Sequence, residues 1–242
     1  VRDLPTVSHY LHVPAQHGSD DVLARMKRGY TIGHYMEMLG RVREAIPQAA
    51  VTSDFIVGFC GETDAEFELT LDLVRTVGFK NSFIFKYSPR PGTKAHERLP
   101  DDVPEEVKKE RNRLLLEAQA EVSLAGNQRF IGSRQQVLVE GLSTRDERRD
   151  LNLGPDGVAQ LMGRTMCDRI VVFDAPLRLV GRLVDIDIHE AGAWSLSGEV
   201  ADGLAEAIPL EGLSVSGESA APLYEIALPQ APLRQAATTP EA

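Results

Sequence analysis

A chain of 242 residues, 43% hydrophobic and with a formal charge of −10, has room for one large globular core or two smaller ones. Its acidic balance excludes a strongly basic nucleic-acid binder, and no run approaches the roughly 20 apolar residues of a spanning helix, so no membrane partner is expected. Two cysteines, Cys60 and Cys167, are too few for a disulfide framework or a cysteine-rich metal centre, which leaves reduced thiols in a cytoplasmic protein and no metal ligand set. Val1 to Pro5 has no apolar stretch after Arg2 and Asp3, so no signal peptide is expected, and the opening valine reads as a cut gene or an alternative start. Charge is unevenly spread: beyond residue 199 one arginine, Arg234, faces six acids, while residues 128–199 hold nine arginines, no lysine and eleven acids.

In chain order, His9 to Val13 reads as a strand, followed by a loop from Pro14 to Ser19 and a short helix from Asp20 carrying Val22, Leu23 and Met26. Thr31 can cap a helix whose Tyr35, Met38, Leu39, Val42 and Ile46 repeat at helical spacing, and Pro47 stops it. Val51 to Val57 is a second strand, apolar enough to expect burial on both faces. Thr63 to Glu66 spells a capping box, Phe67, Leu71 and Val74 mark the helix it opens, and Gly78 closes it. Ser82 to Tyr87 is a third strand, so the order β-α-β-α-β predicts parallel strands with right-handed crossovers.

Pro104 suits the first turn of a long helix running to about Leu124, which Gly126 and Asn127 are expected to end. Short Val- and Leu-rich runs then follow at 136–140, 160–162, 169–173, 180–188 and 195–200, punctuated by glycine, and predict a small antiparallel β-barrel. Residues from 203 onward are rich in Ala, Pro, Ser and Glu without periodicity and read as an acidic, disordered tail. The expected division is 1–127, 128–202 and 203–242.

Three polar or glycine-rich segments, 16–19, 58–63 and 88–93, each follow one of the three strands, and such loops gather on the ligand face of a parallel α/β fold. The segment Gly58 to Thr63 can admit a ligand beside its backbone and leads into a helix N-terminus, although the same residues make an ordinary tight turn. Glu62 can accept hydrogen bonds from a ribose or an amino group, or simply complement the helix dipole. Arg90, held between Pro89 and Pro91, suits a carboxylate or phosphate, or is a solvated turn residue. His12 and His17 have no acidic neighbour in sequence and read as structural. No Ser-centred elbow, HExxH or phosphate-binding lysine loop is present, so no catalytic residue is assigned.

Several blocks together resemble the MiaB-type radical S-adenosylmethionine (SAM) methylthiotransferases. They are Leu11 to Asp20, with His17 where that family usually has Ser; Met26 to Thr31; Ser53 to Thr63, with Cys60 in place of Pro; and Phe83 to Thr93. The second half resembles a TRAM domain through Val137 to Gly141, Gly163 to Thr165, Arg169 to Val171, Leu179 to Gly181 and Ser195 to Gly198, with Asp168 where Asn is usual.

The resemblance implies the C-terminal half of a partial (βα)6 radical SAM barrel followed by a small OB-like barrel, an α/β plus all-β chain. It implies S-adenosylmethionine and two 4Fe–4S clusters in the full-length protein, whose ligands would lie in a missing N-terminal half, so this chain alone is expected to be inactive. Iron–sulfur clusters need thiolates, and two cysteines do not supply them. Gln16 and Ser19 are expected near the ribose or methionine part of SAM, Ile56, Gly58 and Glu62 at the adenine-side wall, and Arg90 and Thr93 facing SAM or substrate. Arg164 and Arg169 are the expected phosphate contacts, positioning RNA without reading its sequence. The expected reaction, in a monomer binding the tRNA anticodon stem-loop, adds a methylthio group to C2 of N6-isopentenyladenosine. The alternatives are threonylcarbamoyl-adenosine in tRNA, a ribosomal-protein aspartate, or an inactive RNA-binding module.

Overall fold

The computed structural model describes residues 1–4, 6–147, 156–201 and 208–209. Three parallel strands, β1 (Tyr10–His12), β2 (Ala50–Val57) and β3 (Asn81–Lys86), lie in the order β1-β2-β3. Helices α1 (Asp20–Arg25) and α2 (Ile32–Ala45) connect the first pair, and α3 (Asp64–Val77) connects the second. The expected boundaries form locally: Thr31 accepts the His34 N–H, Thr63 and Glu66 cap reciprocally, and Gly78 turns left-handed at φ 70° to end α3.

All the packing helices sit on one face of this sheet. Tyr35 and Leu39 of α2, Phe67, Leu71 and Val74 of α3, and Leu115 and Ala118 of a later helix enclose Phe55 and Val57. The opposite face carries no helix among the described residues, and the expectation that β2 is buried on both sides holds at Ala50 and Thr52, 4% and 3% exposed, but not at Asp54 and Ile56. Asp54 and Ile56 are half-buried there, and Phe83 and Phe85 of β3 are 53% and 55% exposed. Side chains alternate across a strand, so β2 can be nearly continuous in apolar residues while only alternate ones meet a helix.

After β3 come a short helix, α4 (Lys94–Arg98), which no periodicity marks, and then α5 (Glu105–Gln128). Pro104 is the cap of α5, one residue before the position expected for it. Gly126 and Asn127 do not end α5. The Asn127 amide donates to the carbonyls of Gly192 (2.8 Å) and Ala193 (3.2 Å) and its oxygen accepts from Arg169 Nε (2.9 Å), and these tertiary bonds hold the last turn helical.

The second half closes a five-stranded barrel from β4 (Arg134–Leu142), β5 (Val158–Thr165), β6 (Ile170–Pro176), β7 (Arg182–Ala191) and β8 (Leu196–Val200), in the order β4-β5-β6-β8-β7 and back to β4. The barrel is not wholly antiparallel as expected: β6 and β8 run parallel. A closed ring with an odd number of strands cannot alternate direction at every pair, so one parallel contact is obligatory. Val137, Leu161, Val171, Ile186 and Leu196 fill the interior. A short helix α6 (Thr144–Glu147) follows β4, and β9 (Ile208–Pro209) pairs with β7. The acidic tail expected from residue 203 otherwise lies outside the described residues.

Sheet and barrel belong to one compact unit, Val1–Leu210. They meet at the N-terminal ends of the sheet strands, where the His9 N–H and the Ser8 hydroxyl both donate to the Met166 carbonyl (2.8 Å each) and Lys80 pairs with Asp168. The barrel therefore docks at the end of the sheet opposite its strand-end loops. No helix among the described residues is long and apolar enough to cross a membrane. Leu115 is fully buried between α5 and the sheet, so Leu115→Ala should cost about 2–5 kcal/mol in urea unfolding, the range for emptying a packed core site.

Candidate functional site

The three strand-end loops converge. Gln16 extends β1 by one bridge to Phe55, its N–H donating to Asp54 O (2.8 Å) and its carbonyl accepting from Ile56 N (2.9 Å), and φ 68° then turns the chain into the loop. Its side-chain oxygen accepts from Arg28 (3.1 Å), and the Ser19 hydroxyl caps α1. Gly58 requires glycine twice over: φ is 72°, and a Cβ would run into the Lys108 side chain. Tyr87, leaving β3, donates its N–H to Val57 O (2.8 Å) and meets the Phe59 ring edge-on at 4.8 Å. Val22, Phe59 and Cys60 are buried together, with Met26, Tyr87, Ala95 and Leu99 packed around them. Burial there pushes the Tyr87 phenol up to about 12, with Cys60 and Asp101 adding to the shift.

Arg90 to Thr93 forms a tight turn in which the Thr93 N–H (3.2 Å) and hydroxyl (2.8 Å) donate to the Arg90 carbonyl. Pro91 and Gly92, the latter at φ 81°, fit the two central positions of a type II turn. Thr93 then caps α4 by accepting from His96 N. The Arg90 side chain stays exposed, so rigidity at this loop lies in its backbone.

Beneath the loops lies a charged cluster that apolar periodicity does not reveal. Glu62, His17 and Arg111 are 5%, 0% and 5% exposed. Glu62 Oε2 accepts from Phe59 N (2.9 Å), while its Oε1 lies 3.3 Å from Arg111 and 3.7 Å from His17 Nε2. His17 Nδ1 accepts the Ser19 N–H (3.0 Å), which places the proton of a neutral ring on Nε2, facing Glu62. Arg111 also donates to Glu62 O (3.0 Å) and to Asp64 (2.7 Å). Glu62 thus supports the loop from behind. A cleft of about 480 Å³ opens beside it, between the start of α3 and residues 102–107.

His12 also has an acidic neighbour: Nε2 lies 3.3 Å from Asp54, and Nδ1 is 2.9 Å from the Thr52 hydroxyl. Neither acid is a sequence neighbour of its histidine, because Asp54 and Glu62 arrive from β2 and the loop after it. His12 and Asp54 sit on the open sheet face with Ile56, Phe83 and Phe85, in register as Asp54↔Phe83 and Ile56↔Phe85. Among the described residues no group of three or more His, Cys, Asp or Glu is placed to hold a metal ion.

The two barrel arginines lie at the other end and are engaged internally. Arg164 pairs with Glu140 (3.1 Å) and Asp168 (2.7 Å). Arg169 reaches Asn127 and Cys167 and stacks on the Phe130 ring at 4.5 Å. Asp168 adopts φ 63°, a conformation that Asn and Asp tolerate best after Gly, and bridges Lys80 to Arg164. Burial raises the Asp168 carboxyl, but Lys80 and Arg164 outweigh it and hold the group below 3.8; burial equally pulls the Lys80 ammonium below 10.5.

Arg111 and Lys108 escaped the sequence reading because they are polar residues on the buried stripe of α5. Lys108, Arg111, Leu115, Ala118, Gln119, Ser123 and Asn127 recur at three- and four-residue spacing, and an apolar pattern registers only two of them. Arg111→Met should cost about 3–5 kcal/mol by leaving Glu62 buried without its partner, and adding Glu62→Gln should recover part of it, both read from urea unfolding. Asp168→Asn tests the bridge. A depressed carboxyl stabilises fully above 3.8 and loses that stabilisation as pH falls through its folded value, so the difference in unfolding free energy between native chain and variant should shrink below about pH 4.

Comparison with known proteins covers both halves. Residues 2–74 match the radical SAM superfamily and residues 128–201 the TRAM domain. The tRNA-2-methylthio-N(6)-dimethylallyladenosine synthase of Rhodopirellula baltica is 52% identical over 216 residues, which are 89% of this chain and 44% of that protein. The proteins of the same name from Moorella thermoacetica and Coxiella burnetii are 44% and 45% identical, over 83% and 81% of this chain and 42% of each relative. The chain spans less than half the length of these curated relatives. The chain thus joins a segment that matches the radical SAM superfamily to one that matches the TRAM domain, and it is similar over most of its length to the synthases named above.

Proposed function

We propose that the chain is part of a tRNA methylthiotransferase that acts on N6-dimethylallyladenosine. The observation that carries this reading is the 52% identity to a synthase of that name, which runs through both the sheet and the barrel. The family's chemistry draws on S-adenosylmethionine and iron–sulfur centres for a radical step. Cys60 and Cys167 do not fit a cluster, since one lies under the strand-end loops, the other in the turn after β5, and both are buried. Two clusters, if present, take their thiolates from residues outside this chain, and the isolated chain is inactive.

The strand-end loops do fit a nucleoside cofactor. Ile56 offers an apolar flank for adenine from the open sheet face, and Gly58, packed against the Lys108 side chain, turns the chain into the loop beside it. Gln16 and Ser19 lie at the adjoining loop for ribose or methionine, with Glu62 holding that wall from behind. Arg90 and Thr93 close the third side, where an exposed guanidinium suits a carboxylate. Phe83 and Phe85, beside them on the same face, offer a flat apolar surface for a base carrying a dimethylallyl group. Residues 1–127 make up this half. Residues 128–202 form the half that holds tRNA at its anticodon stem-loop, in the cytoplasm and as a monomer.

Deleting the gene for this protein and analysing tRNA nucleosides by mass spectrometry tests the reading. The expected result is complete loss of the 2-methylthio derivative with accumulation of N6-dimethylallyladenosine. Loss of a methylthiolated threonylcarbamoyl-adenosine or ribosomal-protein aspartate instead points to those substrates, and unchanged nucleosides to an inactive module.

A further inference from the structure

Trp194 is the only tryptophan of the chain and stands 57% exposed at the tip joining β7 to β8. The tip is a fixed platform. The Gly192 N–H donates to Ser195 O (2.8 Å), and Asn127 pins the carbonyls of Gly192 and Ala193. The same Asn127 accepts from Arg169, which places a guanidinium stacked on Phe130 next to the tip. Residues 191–198 contain no charged side chain, and residues 126–134 contain Arg129 and Arg134 but no acid; Arg134 is paired with Asp187 of β7 (2.8 Å), so the corner is near neutral in a chain that is acidic on average.

A large exposed aromatic ring on a rigid backbone, flanked by small uncharged residues, is an arrangement that stacks an unpaired nucleobase. The small neighbours Gly192, Ala193 and Ser195 provide no apolar rim of the kind that seals a protein–protein contact. We propose that Trp194 stacks an unpaired base of the RNA bound by the barrel. The inference rests on the tRNA reading above and relocates the grip on RNA. Arg164 is neutralised by two carboxylates and Arg169 is tied into the joint with α5, whereas Trp194 is fixed, flat and open.

The test uses the full chain and a dye-labelled anticodon stem-loop RNA. Anisotropy of the label reports binding, and indole emission reports contact at this one site, since no other tryptophan contributes. The expected result is quenching of the indole at saturation, a roughly five- to hundredfold weaker affinity for Trp194→Ala, and retention of most affinity by Trp194→Phe. A fully paired RNA of equal length should bind native chain and Trp194→Ala alike. Circular dichroism checks that the exposed substitution leaves the fold intact. RNA binding with unchanged indole emission, or Trp194→Ala binding as tightly as the native chain, overturns the inference while sparing the tRNA reading. Absence of RNA binding by either protein overturns both. Indole emission that follows protein concentration without RNA overturns the inference in favour of contact between copies of the chain.

Discussion

The structure depends on a stripe of buried polar side chains along α5. Beginning beside the strand-end loops, Lys108 reaches Asp101 and Arg111 takes the Glu62 carbonyl and carboxylate. Midway, Gln119 donates to Phe79 O (3.0 Å) and Ser123 to Lys80 O (2.9 Å), fastening the start of β3. At the far end Asn127 holds the barrel hairpin. A helix fixed only by apolar packing could rotate or slide at modest cost. Directed bonds to backbone carbonyls impose one register, because each displacement breaks them and leaves a buried polar group unsatisfied.

That constraint links the two proposed activities in one body. The loops assigned to the cofactor and the barrel assigned to RNA sit at opposite ends of the sheet. Their separation is set by the length of β2, eight residues or roughly 26 Å at the usual rise per residue. Under the proposed function, the sheet face that carries His12, Asp54, Phe83 and Phe85 lies between the two ends.

Much of this was legible in the sequence, and for local reasons. The capping box at Thr63, the αL glycine at 78 and the turn at Pro91-Gly92 act within a few residues, so their chemistry is written contiguously. The strand-end loops could be grouped because parallel topology dictates where they meet. What escaped were pairings across the chain: His17 with Glu62, His12 with Asp54, and Arg111 with both the loop and α3. The end of α5 was misjudged for the same reason, since Gly126 and Asn127 signal termination locally but Asn127 is held from 65 residues away. The parallel β6–β8 contact follows from closing five strands into a ring, which no single run announces.

The central claim is that α5 makes sheet and barrel a single cooperative unit. Native-state hydrogen exchange in low denaturant tests it most directly, by following the amides of Phe55 in β2 and Ile186 in β7, both buried cores. The two should exchange through the same global opening, with free energies and denaturant slopes that coincide. Barrel amides that open at a free energy lower by more than about 1 kcal/mol, with a smaller slope, would show two independently folding halves and contradict it.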